Sequence, residues 1–317
     1  MITDSKTISN GDVDLDIFHN YGEVIYYRTT SKKQLPERIQ EADIVLSNKT
    51  ILNEEVLKGS ENLKYIGLFA TGYNNVDLEY TDSRGITVCN AGAYSTKAVA
   101  QHTFALLLNR YNRISDYHTF VKNGGWIGLD TFCSFAYPMS ELAGKTMGII
   151  GFGSIGREVA KIAKAFSMKV LVYTRTPINE DGITFVSKED LLAGSDIITI
   201  HCPLNNQSFQ LCNAEFFSRC KKGVYFINTS RGPIVAEQDL FDALESGQLS
   251  GAAIDVLDRE PMPADCVLLE AKNITITPHI AWGAVETRQR LVNLAASNLE
   301  GYLKGKPINV VGKWNKM

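Results

Sequence analysis

The sequence predicts an α/β protein built from two doubly wound parallel sheets, with one domain inserted into the other. Three observations carry that prediction. Short β-branched and aromatic runs alternate with helical stretches along most of the chain, the pattern of strand–helix–strand units. The runs in the second half are continuously apolar, as expected of strands covered on both faces. At 317 residues the chain also exceeds the size at which a single core usually stops growing.

In the first part, EVIYYR (23–28), ADIVLS (42–47), KYIGLF (64–69) and ITVC (86–89) predict strands. Polar helical stretches, SKKQLPERIQ and NEEVLKG, lie between them. From Tyr94 the texture changes: STKAVAQHTFALLLNRYNRI predicts a long helix, and NGGWIGLDTFCSFAYP a loop. Six strands then follow at regular intervals, TMGIIG, KVLVYT, DIITIHC, VYFINT, GAAIDV and ITITPH. After His279 the stretch ETRQRLVNLAASNLEGYLKG predicts a closing helix, and KPINVV is long enough to return to the first domain. The expected domains are therefore 1–97 with 286–317, and 98–285. The helix beginning near Ala98 reads as too apolar for a solvent face. We therefore expect it to pack on its two-fold mate in a homodimer, burying roughly 2,000–5,000 Å².

Composition excludes several classes. An apolar content of 44% and a charged content of 21% suit a packed globular chain rather than a disordered one. A net charge of -3 argues against a nucleic-acid surface, which needs clustered Lys and Arg. No apolar run approaches the roughly 20 residues of a membrane span. The opening MITDSKTISNGD lacks the basic and apolar regions of a secretory signal, so a cytoplasmic location is expected. The six cysteines show no CxxC pair and no zinc-ligand spacing, so no metal is expected, and they read as structural thiols.

GIIGFGSIG places Gly151, Gly153 and Gly156 in G-x-G-x-x-G spacing, with an apolar strand leading in and the helical REVAKIAKAF leading out. That context predicts a dinucleotide site. Gly151 permits the tight turn, Gly153 lets backbone approach a pyrophosphate, and Gly156 allows close helix–strand packing. The N–H groups of Ser154 to Gly156 would face the anion. The next strand normally ends in an acidic residue that binds the adenosine ribose. KVLVYTRTP instead puts Thr174 there, followed by Arg175 and Thr176. No carboxylate repels a 2′-phosphate, and a planar guanidinium fits one, so NADP(H) is expected ahead of NAD(H).

Arg231 in FINTSRGPIV, Glu260 in AAIDVLDREP and His279 in ITITPHIAW each follow a predicted strand. Together they are the parts needed to reduce a carbonyl. Hydride addition puts negative charge on the oxygen, and histidine is the side chain suited to donating a proton near neutral pH. A neighbouring carboxylate would fix the imidazole tautomer and favour its protonated form, and a guanidinium would hold a substrate carboxylate and polarise the keto oxygen. His102 and His201 read as packing residues.

From about Ile44 to Val311 the chain resembles the D-isomer-specific 2-hydroxyacid dehydrogenases, and among them the glycerate dehydrogenases, also called hydroxypyruvate reductases. The resemblance rests on SNKTILNEEVL, ATGYNNVDL, GAYSTKAVAQHTFALLL, ELAGKTMGIIGFGSIG, HCPLN, INTSRGPIV, GAAIDVLDREP, TPHIAWGAVETRQRL and KGKPINVV. It implies a Rossmann cofactor domain inserted into a flavodoxin-like substrate domain, with Arg231, Glu260 and His279 catalytic. It further implies that backbone around Thr71 and Gly72 grips a substrate carboxylate, with Asn48 and Lys49 at the substrate mouth. The remaining implied cofactor contacts are Ile155, Cys202, Pro203, Ser208, Thr229, Ser230, Asp255, His279 and Gly283, with Asp255 accepting from the nicotinamide carboxamide. Trp282 would shape the substrate pocket or pack at a subunit contact. Thr174 departs from the family's commoner Asp, and Glu260 separates the chain from formate dehydrogenases, which carry Gln there. The implied reaction reduces a small 2-keto acid, hydroxypyruvate or glyoxylate. Two alternatives stay open: a D-lactate-type enzyme for bulkier keto acids, and an NAD(H)-sensing corepressor or binding protein.

Overall fold

The computed structural model of the protein describes residues 1–312. In chain order, the first elements are α1 (Leu35–Ile39), β1 (Ile44–Ser47), α2 (Glu54–Leu57), β2 (Tyr65–Leu68), α3 (Leu78–Ser83) and β3 (Thr87–Cys89). The long helix α4 (Thr96–Asn112) and α5 (Ile114–Lys122) follow. Then come β4 (Thr146–Ile150), α6 (Ser154–Ala165), β5 (Lys169–Tyr173), β6 (Thr184–Phe185), α7 (Lys188–Gly194) and β7 (Ile197–Ile200). The last are α8 (Ala214–Arg219), β8 (Val224–Asn228), α9 (Glu237–Glu245), β9 (Leu249–Ile254), β10 (Ile274–Ile276), α10 (Val285–Leu303) and β11 (Val310–Val311). The chain forms two compact units, Met1–Ser95 with the segment from Trp282 onward, and Thr96–Ala281. The expected crossings at 97/98 and 285/286 thus move to 95/96 and 281/282, which puts Trp282 and Gly283 in the first unit.

The first unit holds a sheet of order β1-β2-β3-β11. The expected strand over 23–28 does not form; what remains is a bridge at Tyr26, because Glu23 and Ile25 are left exposed and nothing buries a full strand there. Ile2 pairs in parallel with both Tyr26 and Leu46, extending the sheet by two single-residue rungs. With those rungs the parallel order, by position in the sequence, is 2-1-3-4-5, the flavodoxin-like arrangement. The carboxyl-terminal segment does return, but β11 pairs antiparallel with β3, so this sheet is not wholly parallel. Its core joins Ile2, Phe18, Tyr65 and Phe69 to Leu291, Ala295 and Leu299 of α10.

The second unit holds seven strands in the order β10-β9-β8-β7-β4-β5-β6, all parallel. The six expected strands are present, joined by the short edge strand β6. Side chains alternate along β8: Val224 and Phe226 enter one core, Tyr225 and Ile227 the other. Both faces are therefore covered, which is why these strands read as unbroken apolar runs. The apolar side of α4 is covered within its own unit, where Ala100, Phe104 and Leu107 share a core with Val159 and Ala163 of α6. That removes the inference of a dimer from α4. Among the described residues, no helix is long and apolar enough to cross a membrane.

Candidate active site

Parallel strands collect ligands at their carboxyl ends where the strand order reverses. In the second unit that point lies between β4 and β7. Gly151 follows β4 with φ +94°, and a Cβ there would sit 2.5 Å from the Cys202 nitrogen, just past β7. The two strand ends are therefore closed against each other by bare backbone. A Cβ on Gly156 would collide with the Gly151 carbonyl oxygen, so α6 is pressed onto the turn. On Gly153 a Cβ would meet nothing within 4 Å, which leaves backbone open to an incoming group. Gly153 is also the N-cap of α6 without a side-chain cap bond, and no acidic residue occupies the first turn. The free N–H groups of Ser154, Ile155 and Gly156, with the positive end of the helix dipole, fit a pyrophosphate.

Thr174 follows β5, half-buried, with Arg175 and Thr176 exposed beyond it. Burial raises the Cys202 thiol, opposed first by a backbone hydrogen bond and then by the Arg175 guanidinium. Pro203 is exposed, whereas the Ser208 hydroxyl is committed to its own loop, donating to the Pro203 carbonyl at 2.7 Å. Thr229 is buried with its hydroxyl 3.3 Å from that of Thr103.

The ends of β8, β9 and β10 are in register, Asn228 beside Ile254 and Ile254 beside Ile276. Each loop beyond carries one of the expected catalytic residues. The buried Asn228 side chain folds the first loop: it accepts from the Ser230 N–H and hydroxyl and donates to the Arg231 carbonyl at 3.0 Å. Next in sequence, a Cβ on Gly232 would collide with the Leu257 carbonyl, so the Arg231 loop packs directly on the Glu260 loop. Glu260 uses Oε1 to accept the Leu257 N–H at 3.1 Å, and its Oε2 lies 2.7 Å from His279 Nδ1. His279 has φ +56°, a left-handed conformation unusual for a residue with a side chain. Its N–H donates to the Asp255 carbonyl at 2.8 Å. The Asp255 carboxylate accepts from the Ile280 and Ala281 N–H groups at 2.9 and 2.8 Å and from the Thr277 hydroxyl at 2.5 Å. Asp255, only 1% exposed, is thus first a loop organiser.

The remaining expected residues belong to the first unit. Asn48 is buried, its Nδ2 donating to Thr7 Oγ1 at 3.0 Å, while Lys49 is exposed. Both backbone N–H groups donate to Asp4, a buried carboxylate the sequence reading missed; a lone Asp near the amino terminus gave no signal. Thr71 donates its hydroxyl to the Gly92 carbonyl and accepts at its own carbonyl from Asn90, and Gly72 follows in irregular backbone. Trp282 packs edge-on to Tyr94 with ring centroids 6.4 Å apart, and Gly283 accepts from Arg288 Nε at 2.8 Å. Asn228 and Thr277 were also missed, although a polar residue closing an apolar strand was a usable clue.

A nucleotide cradle and an imidazole–carboxylate pair on the same edge of one sheet is the arrangement of a nicotinamide-dependent oxidoreductase. A family model described as D-isomer specific 2-hydroxyacid dehydrogenase, NAD binding domain, matches residues 104–281. The hydroxypyruvate reductase of Blautia hydrogenotrophica is 42% identical, the match covering 99% of each chain. The glycerate dehydrogenase of Methylorubrum extorquens is 37% identical over 92% of each. The solved D-lactate dehydrogenase of Aquifex aeolicus, complexed with NAD and lactic acid, superposes with a TM-score of 0.84 at 30% identity, covering 96% of both chains. The chain belongs to the D-isomer-specific 2-hydroxyacid dehydrogenase family.

Proposed function

We propose that the enzyme reduces a small 2-keto acid, hydroxypyruvate or glyoxylate, to the matching 2-hydroxy acid. The observation that carries this reading is the 2.7 Å contact between His279 Nδ1 and Glu260 Oε2. Glu260 takes the Nδ1 hydrogen, which leaves Nε2 as the nitrogen that delivers a proton to the keto oxygen. Arg231 holds the substrate carboxylate and stabilises the negative charge growing on that oxygen. Thr71 and Gly72, through their backbone, and Asn48 and Lys49 are the further residues proposed to bind substrate. When bound, the reduced nicotinamide supplies the hydride that adds to the carbonyl carbon.

Gly151, Gly153 and Gly156 hold the pyrophosphate. Arg175 favours NADP(H): it is exposed and directly follows Thr174, which stands where a ribose-binding acid is missing. Asp255, Cys202, Pro203, Thr229, Ser230 and Gly283 complete the cofactor surroundings. A homodimer is supported by the stretch after α5, where Trp126, Ile127, Phe132 and Phe135 are 54%, 84%, 90% and 82% exposed. Clustered apolar exposure of this kind marks an association surface. Six free cysteines, four of them buried, suit a reducing cytoplasmic compartment.

A panel of 2-keto acids assayed with both reduced cofactors tests the reading. Loss of reduced-cofactor absorbance should be fastest with hydroxypyruvate or glyoxylate and faster with NADPH. Cofactor binding without turnover of any keto acid overturns the enzyme, and a strong NADH preference overturns the cofactor assignment.

A further inference from the structure

The second unit contains a histidine that the proposed chemistry does not use. His102 lies on α4, and its side chain is 19% exposed. Its Nε2 is 3.0 Å from Thr277 Oγ1 and 3.6 Å from Asp255 Oδ1. The hydrogen-bond network fixes the roles. Thr277 spends its single hydroxyl hydrogen on Asp255 Oδ1, at 2.5 Å, so its oxygen is an acceptor toward His102. His102 therefore carries a hydrogen on Nε2 and donates it.

Asp255 needs that support. A carboxylate this deeply buried is stable only when its lone pairs are satisfied, and here they hold the Ile280 and Ala281 amides beside the left-handed His279. Backbone in that region of conformational space persists only where its surroundings over-determine it. The next residue on the same helix turn, Thr103, lies 3.3 Å from Thr229, two positions before Arg231. One turn of α4 thus braces the loops carrying both the proton donor and the guanidinium.

We propose that His102 is a positioning residue for proton transfer. By fixing the Thr277 hydroxyl on the Asp255 carboxylate, it holds the loop that presents His279. This goes beyond a packing role, and its kinetic consequence rests on the activity proposed above.

The test pairs a structural readout with a kinetic one, using the full chain. In the nucleotide-free protein, His102→Ala and the near-isosteric Thr277→Val should speed amide hydrogen exchange at Ile280 and Ala281 about 10-fold, with β8 amides unchanged as the folding control. His102→Gln, which can restore an N–H at similar reach, should return exchange to the wild-type rate. With glyoxylate, His102→Ala should lower kcat about 10-fold, with any weakening of reduced-nicotinamide Kd smaller than that, because the glycine turn is untouched. The double variant should lose no more than Thr277→Val alone. Wild-type exchange at both amides in His102→Ala overturns the proposal, as does equal impairment by Ala and Gln, which would mark packing alone. If the wild-type chain turns over no 2-keto acid, the functional reading fails, and the exchange rates still decide this one.

Discussion

A histidine with one nitrogen committed to a carboxylate has the other left for substrate, and that asymmetry governs what single substitutions should do. On the proposed mechanism, His279→Ala removes the proton source while leaving intact the glycine turn that cradles the pyrophosphate. Its kcat should fall about 10²- to 10⁴-fold while reduced-cofactor Kd, read by fluorescence titration, stays near wild type. Equal losses in both would show that His279 is structural. Arg231→Lys keeps the charge and discards the planar fork, so keto-acid KM should rise about 10-fold in steady-state kinetics. An unchanged KM would remove Arg231 from substrate binding. Asp4→Asn leaves the Asn48 and Lys49 amides facing a donor as often as an acceptor, and should raise the same KM without moving cofactor affinity.

At the scale of elements, the glycine turn works through contact rather than flexibility alone. Gly156→Ala must push α6 away from the Gly151 carbonyl, and the helix carries the pyrophosphate donors with it. Nucleotide Kd should weaken about 10-fold, with keto-acid specificity unchanged. Tight binding in the alanine variant would show that the close packing is dispensable. The elements most legible in the sequence were those with strong, uniform burial. β7 and β8 are buried along their whole length and read as unbroken apolar runs, whereas the partly buried β5 and β10 were legible from their β-branched content. The 23–28 run misled because aromatic and β-branched residues can line a half-exposed segment as well as a strand; only Tyr26 bridges. Ile2 was illegible for the opposite reason, since a single pairing residue leaves no periodicity. Of the site, the three strand-end side chains were readable as chemistry. Asp4, Asn228 and Thr277 were not, because their work is to satisfy backbone amides and hydroxyls, and that depends on where the loops fold.

For the whole molecule, the two groups held furthest below their ordinary pKa make stability acid-sensitive, one in each unit. Desolvation pushes the His201 imidazole down to about 3 from its ordinary 6.5. The unfolded chain therefore binds a proton at this site that the folded chain refuses. Stability contributed there is present above about 6.5 and is lost progressively toward 3. In the first unit, hydrogen bonds from Arg288 hold the Asp12 carboxyl well below the usual range. That contribution exists above the ordinary carboxylate pKa and disappears as pH falls below it. Thermal unfolding should show Tm dropping between pH 7 and pH 4, with His201→Asn flattening the upper part of the decline. A Tm independent of pH across that range would contradict the His201 assignment, and no further fall below pH 4 would contradict that of Asp12. The exposed arm makes a separate prediction. Trp126→Ser with Phe132→Ser should shift the light-scattering mass at micromolar concentration from two chains toward one; a wild-type monomer would remove the dimer.

Gly232 has a bearing on how this sequence can drift. Because it lets the main chain after β8 rest against the main chain after β9, the spacing between guanidinium and carboxylate is inherited from the backbone itself. Apart from Arg231 itself, nearby loop positions can change without altering that spacing, whereas a Cβ at this one would collide with the Leu257 carbonyl. In a saturation library selected for turnover, position 232 should return glycine alone, and new substrate preferences should accumulate around Asn48, Lys49 and Thr71 instead.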